Sequence, residues 1–280
     1  MMIMPKKILK SIEAICRAFL WKGRAAFHWA GAVAWDDVCQ QKKDGGLGIK
    51  RSEEWNKAAM CKYIWVIANK QESLWLRWVH SVYIKREEWW GYSASIHSIW
   101  YWKKLVALED NLKTIQDPAI FQEQKYHISA GYTLFKPSPN RVSWSHEVWA
   151  RLNIPKHSVI LWLAMLNRLK TKERLMKFRI QVEECSKSWL GWRTSASDLP
   201  QIIRWIGRTK VSRFRKNVLA AVVAGLVYII WEALNKIIWQ EEQPEWGRLI
   251  ENLKWRLKSQ IIIFLPKKLS CKDREWFYDL

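Results

Sequence analysis

Between Val218 and Trp231 no charged side chain interrupts the chain. A run this apolar must leave water, yet it falls well short of the ~20 residues that a helix needs to span a bilayer. It predicts a buried helix extending over 217–240, and a membrane is not expected as a partner. A helix apolar on every side has to be covered by other elements.

The sequence supplies amphipathic helices for that task. Leu9, Ile12, Cys16, Phe19 and Leu20 recur at helical spacing across 7–21, and the charges among them break the apolar core that a signal peptide would need. Met60, Ile64 and Ile67 line one side of a helix over 53–70. Ser73 is a candidate cap for the next, in which Trp75, Trp78, Val79 and Val82 follow the i, i+3, i+4, i+7 pattern. Another helix begins at 100–108. Pro155 suits the first turn of a helix ending near Arg168, and Thr171 can cap one reaching about Phe178. Trp246, Leu249, Ile250, Leu253, Trp255 and Leu257 mark an amphipathic helix over 244–259, and the tail from Pro266 is expected to fray. Extended pieces are expected near the Asp44-Gly45-Gly46 turn. They are also expected in 117–146, where Pro118, Pro137 and Pro139 punctuate the chain and Tyr126, Ile128, Tyr132 and Leu134 suggest short strand or turn segments. The expected fold class is mainly α, with at most a small strand pair and a domain boundary near 118.

Charge narrows the partners. The net charge is +21, Trp occurs 22 times, and two thirds of the excess positive charge lies after residue 126. Basic chains attract polyanions, and aromatic rings stack on unpaired bases. Two runs are dense enough to single out: Arg168, Lys170, Lys172, Arg174, Lys177 and Arg179, and then Arg204, Arg208, Lys210, Arg213, Arg215 and Lys216, with no acid from Leu199 to Trp231. Trp189, Trp192 and Trp205 lie between or within them. RNA or single-stranded DNA, bound without sequence preference, is the expected partner, while a solvated face carries equal weight. No small-molecule substrate is expected.

Catalysis finds little support. Asp36-Asp37 lacks the converging carboxylates of a two-metal site and reads as a solvated turn. Gly45-Gly46-Leu47-Gly48 lacks the Lys-Ser/Thr of a P-loop and reads as a plain turn. The five cysteines form no C-x-x-C, and the six histidines do not pair with them at ligand spacing. The scattered thiols suit a reducing, intracellular setting, in nucleus or cytoplasm. No cofactor is expected.

Several segments together resemble a known family. Cys16-Arg17-Ala18-Phe19-Leu20-Trp21-Lys22-Gly23, Val33-Ala34-Trp35-Asp36-Asp37-Val38-Cys39, Gly45-Gly46-Leu47-Gly48-Ile49 and Glu54-Trp55-Asn56-Lys57-Ala58 are similar to the region beyond the polymerase domain of plant LINE-type (non-LTR) retrotransposon reverse transcriptases. Ile154-Pro155-Lys156-His157, Leu161-Trp162-Leu163-Ala164 and Thr171-Lys172-Glu173-Arg174-Leu175 resemble the start of that family's zinc-binding domain. The resemblance implies a helical region over 1–117, a truncated zinc-binding domain over 118–192, and a basic segment with C-terminal helices over 193–280. The family's C-x-x-C pair and histidine have no counterpart before Trp189-Leu190-Gly191, so Cys185 is at most one vestigial ligand, and no zinc is expected. With no polymerase palm in this stretch, the expectation is a non-catalytic remnant with residual nucleic-acid affinity. The alternative is a structural or interaction remnant with no ligand.

Overall fold

A computed structural model describes residues 3–24, 31–113, 125–136, 140–169, 189 and 198–280. The described residues are mainly helical and contain no strand, so the small strand pair is not formed among them. They divide into two compact units, 1–41 with 46–140, and 42–45 with 141–280. Residue 118 itself lies outside the described residues.

The first unit contains α1 (Lys6–Lys22), α2 (Trp35–Val38), α3 (Ser52–Ala68), α4 (Leu74–Val79), α5 (Trp100–Lys113) and α6 (Ile128–Leu134). Helix α3 is its centre. Glu53 and Glu54 sit in its first turn, where the helix dipole favours negative charge. The Ser52 N–H donates to Glu13 Oε1 at 3.1 Å, so a carboxylate from α1 caps the end. Met60, Cys61, Ile64 and Ile67 are buried together with Val79, Trp102 and Leu105.

Two local expectations change here. Residues 128–134 form α6 rather than a strand or turn. Tyr126 and Tyr132 bracket its start and centre, and both hydroxyls bind main chain of the first unit. Tyr126 donates to the Ala58 carbonyl at 2.7 Å, and Tyr132 accepts from the Arg51 N–H at 3.1 Å. Docking, not local alternation, sets the backbone. On α4, Ser73 caps as expected, accepting from the Leu76 N–H at 3.1 Å. The buried side, however, is Leu76, Val79 and Ile84, while Trp78 and Val82 are exposed. The helix continues as a π turn over His80–Ile84, which shifts its phase.

The Gly45-Gly46-Leu47-Gly48 turn spends its own donors. The N–H groups of these four residues bind the carbonyls of Lys42, Gln41, Val38 and Gln40, respectively, at 2.8–3.2 Å. None is left to cradle a phosphate. Gly45 has φ +93° and Gly48 φ +78°, which explains the glycines.

The second unit contains α7 (Ser145–Val148), α8 (Pro155–Met165), α9 (Leu199–Arg208), α10 (Arg213–Gln240), α11 (Trp246–Ile263) and α12 (Cys271–Tyr278). Helix α10 carries the apolar run. It is long and apolar enough to cross a membrane, but most of that stretch is buried under its neighbours, as expected of a core helix. Gly225 lets α11 approach closely, because a Cβ there would lie 2.7 Å from Leu253 Cδ1. Leu253, Leu257 and Ile261 complete the seam.

The tail does not fray as expected. Ser270 caps α12 by accepting from the Asp273 N–H at 3.2 Å, and Phe277 is buried against Phe214. An aromatic anchor and the part-buried ion pair between Arg215 and Asp273 outweigh the polar composition of that segment.

Candidate nucleic-acid interface

Asp198 accepts from the Gln201 N–H at 2.8 Å and so begins α9. Ile203 and Ile206 face the core, which turns Arg204 and Arg208 to solvent one helical turn apart. Residues 209–212 connect to α10. Ser212 caps that helix by accepting from the Arg215 N–H at 3.2 Å, and this leaves Lys210 and Arg213 exposed. Arg204, Arg208, Lys210 and Arg213 therefore crowd a helix end, a short turn and a helix start. Among the described residues no acid pairs with any of them.

The other two members of the run are used internally. Arg215 Nε lies 2.6 Å from Asp273 Oδ1, its Nη2 donates to the Lys272 carbonyl at 2.9 Å, and its guanidinium sits 4.9 Å from the Trp276 ring. Burial pulls the Asp273 pKa upward. Hydrogen bonds from Arg215, Ser212 and Ser270 outweigh that and hold the carboxyl below its usual range. Lys216 Nζ donates to the Gly207 carbonyl at 2.7 Å, a cation on the C-terminal end of α9.

In the earlier run Arg168 is exposed just beyond α8. Lys170, Lys172, Arg174, Lys177 and Arg179, the helix expected from Thr171, Trp192 and Cys185 lie outside the described residues. Trp189 is not presented for stacking: its indole N–H donates to the Leu280 carbonyl at 3.0 Å, and the ring packs on the second core. Trp205 is half-buried. Exposed indoles instead occur at Trp78, Trp90, Trp100, Trp239 and Trp255. Sequence periodicity could not single them out, because packing alone decides which side of each helix is covered.

Asp36 pairs with Arg51, which also reaches Glu54 at 3.2 Å, and Asp37 accepts from Gln40 Nε2 at 3.4 Å. The two aspartates thus open the short helix α2 in a local ion-pair network. Among the described residues no three His, Cys, Asp or Glu side chains form a metal-holding group. His157 is buried and stacked on Tyr228 at 4.5 Å; burial, with Lys156 and Arg256 nearby, pushes its pKa down to about 4.

Residues 126–189 match the protein family described as "zinc-binding in reverse transcriptase". A protein of Arabidopsis thaliana named "Putative ribonuclease H protein" is 34% identical over 73 residues. The match covers 26% of this chain and 12% of that relative, so the chain spans about an eighth of its length. No solved structure matches. The matched segment relates the chain to reverse-transcriptase proteins of retroelements. Among its described residues no donor set fits a closed zinc site. Cys185 is the one cysteine between 126 and 189, and of the three histidines His146 is exposed and His157 is packed on Tyr228. A structural Zn²⁺ needs four ligands.

Proposed function

We propose that this chain is a non-catalytic part of a plant LINE-type reverse transcriptase that keeps a sequence-independent affinity for RNA or single-stranded DNA. The observation that carries the reading is the cluster of Arg204, Arg208, Lys210 and Arg213. These cations lie within ten residues of one another in sequence, are exposed, and meet no acid among the described residues of a chain of net charge +21. Cations placed this way release counterions from phosphates and position a strand without reading its bases. The similarity of 126–189 to a reverse-transcriptase domain, and the plant source of the relative, support the assignment.

A salt titration tests it. Four contacts at about −0.7 each give a slope of roughly −2.8 for log affinity against log salt on single strands. Replacing Arg204, Arg208, Lys210 and Arg213 together with Gln should flatten that slope and weaken all sequences alike. Unchanged binding in that variant would remove these four cations from the interface, and no binding at low salt would leave the ligand-free remnant as the better account. The fate of Arg215, Lys216 and Trp189, all engaged internally, is what favours that second reading. No nucleotide incorporation or strand cleavage is expected with Mg²⁺. Incorporation abolished by Asp36→Ala or Asp37→Ala would overturn the non-catalytic part.

A further inference from the structure

The first unit exposes an indole that its own architecture holds ready. Trp78 lies on the solvent side of α4 and is 49% exposed, opposite the buried Leu76 and Val79. Its ring meets Tyr83 edge-on, at 5.4 Å and 82°. Tyr83 in turn stacks on the buried Trp102 at 4.5 Å and 17°, and Trp102 donates its N–H to the Tyr92 hydroxyl at 3.1 Å. The exposed ring is thus the outer end of an aromatic column rooted in the core.

A regular helix would not build this column. Residues five apart stand roughly 140° round an α-helix, which would place Tyr83 away from Trp78. The π turn over His80–Ile84 closes that angle, with the Lys85 N–H donating to the His80 carbonyl at 2.7 Å. It ends in Lys85 at φ 54°, ψ −108°, a strained conformation for a residue with a side chain. Packing the aromatics costs backbone regularity, and the result leaves one indole face in water.

The surrounding charge favours an anion. Arg77, next to Trp78 in sequence, and Lys85, at the end of the π turn, are both exposed, with Arg86 exposed beside Lys85. From 70 to 104 there are six basic side chains and three acidic ones, two of the latter being Glu87 and Glu88 beyond the turn. A flat, rigid aromatic beside cations matches the two parts of a nucleotide: a base to stack and a phosphate to neutralise.

We propose that Trp78 is a base-stacking site for single-stranded nucleic acid, with Arg77 and Lys85 on the flanking phosphates. This rests on the nucleic-acid reading above and adds a site in the other unit, one that detects bases rather than backbone.

Anisotropy titrations of the full chain can separate the two sites. The probes are a short oligothymidylate and an abasic deoxyribose-phosphate oligomer of equal length. The wild-type chain should prefer the base-bearing strand. Trp78→Leu should weaken that strand about tenfold, the order of one lost base stack, while leaving the abasic oligomer and the salt slope unchanged. Trp78→Tyr should recover part of the loss, which a folding defect would not. Lys85→Gly keeps the backbone conformation and should flatten the slope by about 0.7, one contact. If the abasic oligomer binds with steep salt dependence but bases add nothing, the stacking site falls and the basic cluster stands. If neither oligomer binds, both fall. Unchanged affinity for oligothymidylate in Trp78→Leu overturns the proposal and leaves the exposed Leu74–Trp78–Val82 face to a protein partner.

Discussion

Glu109 shows how a single buried group can set a pH dependence. It is 1% exposed, with the Lys113 ammonium 2.9 Å from Oε1. Burial outweighs that partner and pushes its pKa up to about 7. An unfolded carboxyl titrates near 4.5, so between those values the folded chain holds the proton more tightly. The stabilisation is complete below the unfolded value and is lost as pH rises through about 7. The melting temperature of Glu109→Gln, neutral throughout, taken relative to that of the parent chain, should therefore rise between pH 5 and pH 8. A relative melting temperature that stays the same across that range would show that Glu109 is not the group responsible. His157 works in the opposite sense. Its pKa is pushed down to about 4, so its contribution is present above about 6.5 and is lost as pH falls toward 4. His157→Gln should flatten the acid side of the stability profile.

At the level of elements, the second basic run divides into two jobs. Arg215 ties α10 to α12 through Asp273, and Lys216 ties α10 to the end of α9, whereas Arg204, Arg208, Lys210 and Arg213 touch no acid among the described residues. Substitution should expose the division. Arg215→Gln leaves Asp273 buried without its main partner and should cost on the order of 2 kcal/mol in denaturant unfolding. It should leave the salt slope of nucleic-acid binding where it was. Substituting the exposed four should do the reverse. A flattened slope in Arg215→Gln would mean that α12 opens to release the guanidinium. The same ion pair explains why a polar C-terminal segment folds: Phe277 supplies apolar burial and Asp273 the anchor.

For the molecule as a whole, the segment similar to a zinc-binding family carries packing and hydrogen bonds that do not involve a metal. In the second unit, the helix over 155–165 packs on α10, and the Trp162 indole N–H donates to the Gly45 carbonyl at 2.7 Å. Asn153 Nδ2 bridges the carbonyls of Glu147 and Val148, both at 3.0 Å. Such contacts need no ion. The melting temperature should therefore be insensitive to a strong zinc chelator, and elemental analysis should find no stoichiometric zinc. A full equivalent of Zn²⁺, lost together with stability in Cys185→Ser, would show ligands recruited from elsewhere.

The sequence by itself determined the helices with strong signals: the apolar run became the core of α10, Pro155 began α8, and Ser73 capped α4. Those signals are local, since caps and proline act on their own turn and an uncharged run must be buried anywhere. It also marked where positive charge accumulates. Only the tertiary structure decided which of those charges meet solvent, because Arg213 and Arg215 are two residues apart yet point to different neighbours. The helix at 128–134, the docked tail and the π turn beneath Trp78 were likewise set by distant partners: Ala58 and Arg51 for the first, Arg215 and Phe214 for the second, Trp102 for the third. A weak local preference yields to whichever arrangement buries the most aromatic surface with its polar atoms satisfied, and that sum is taken over residues far apart in the chain.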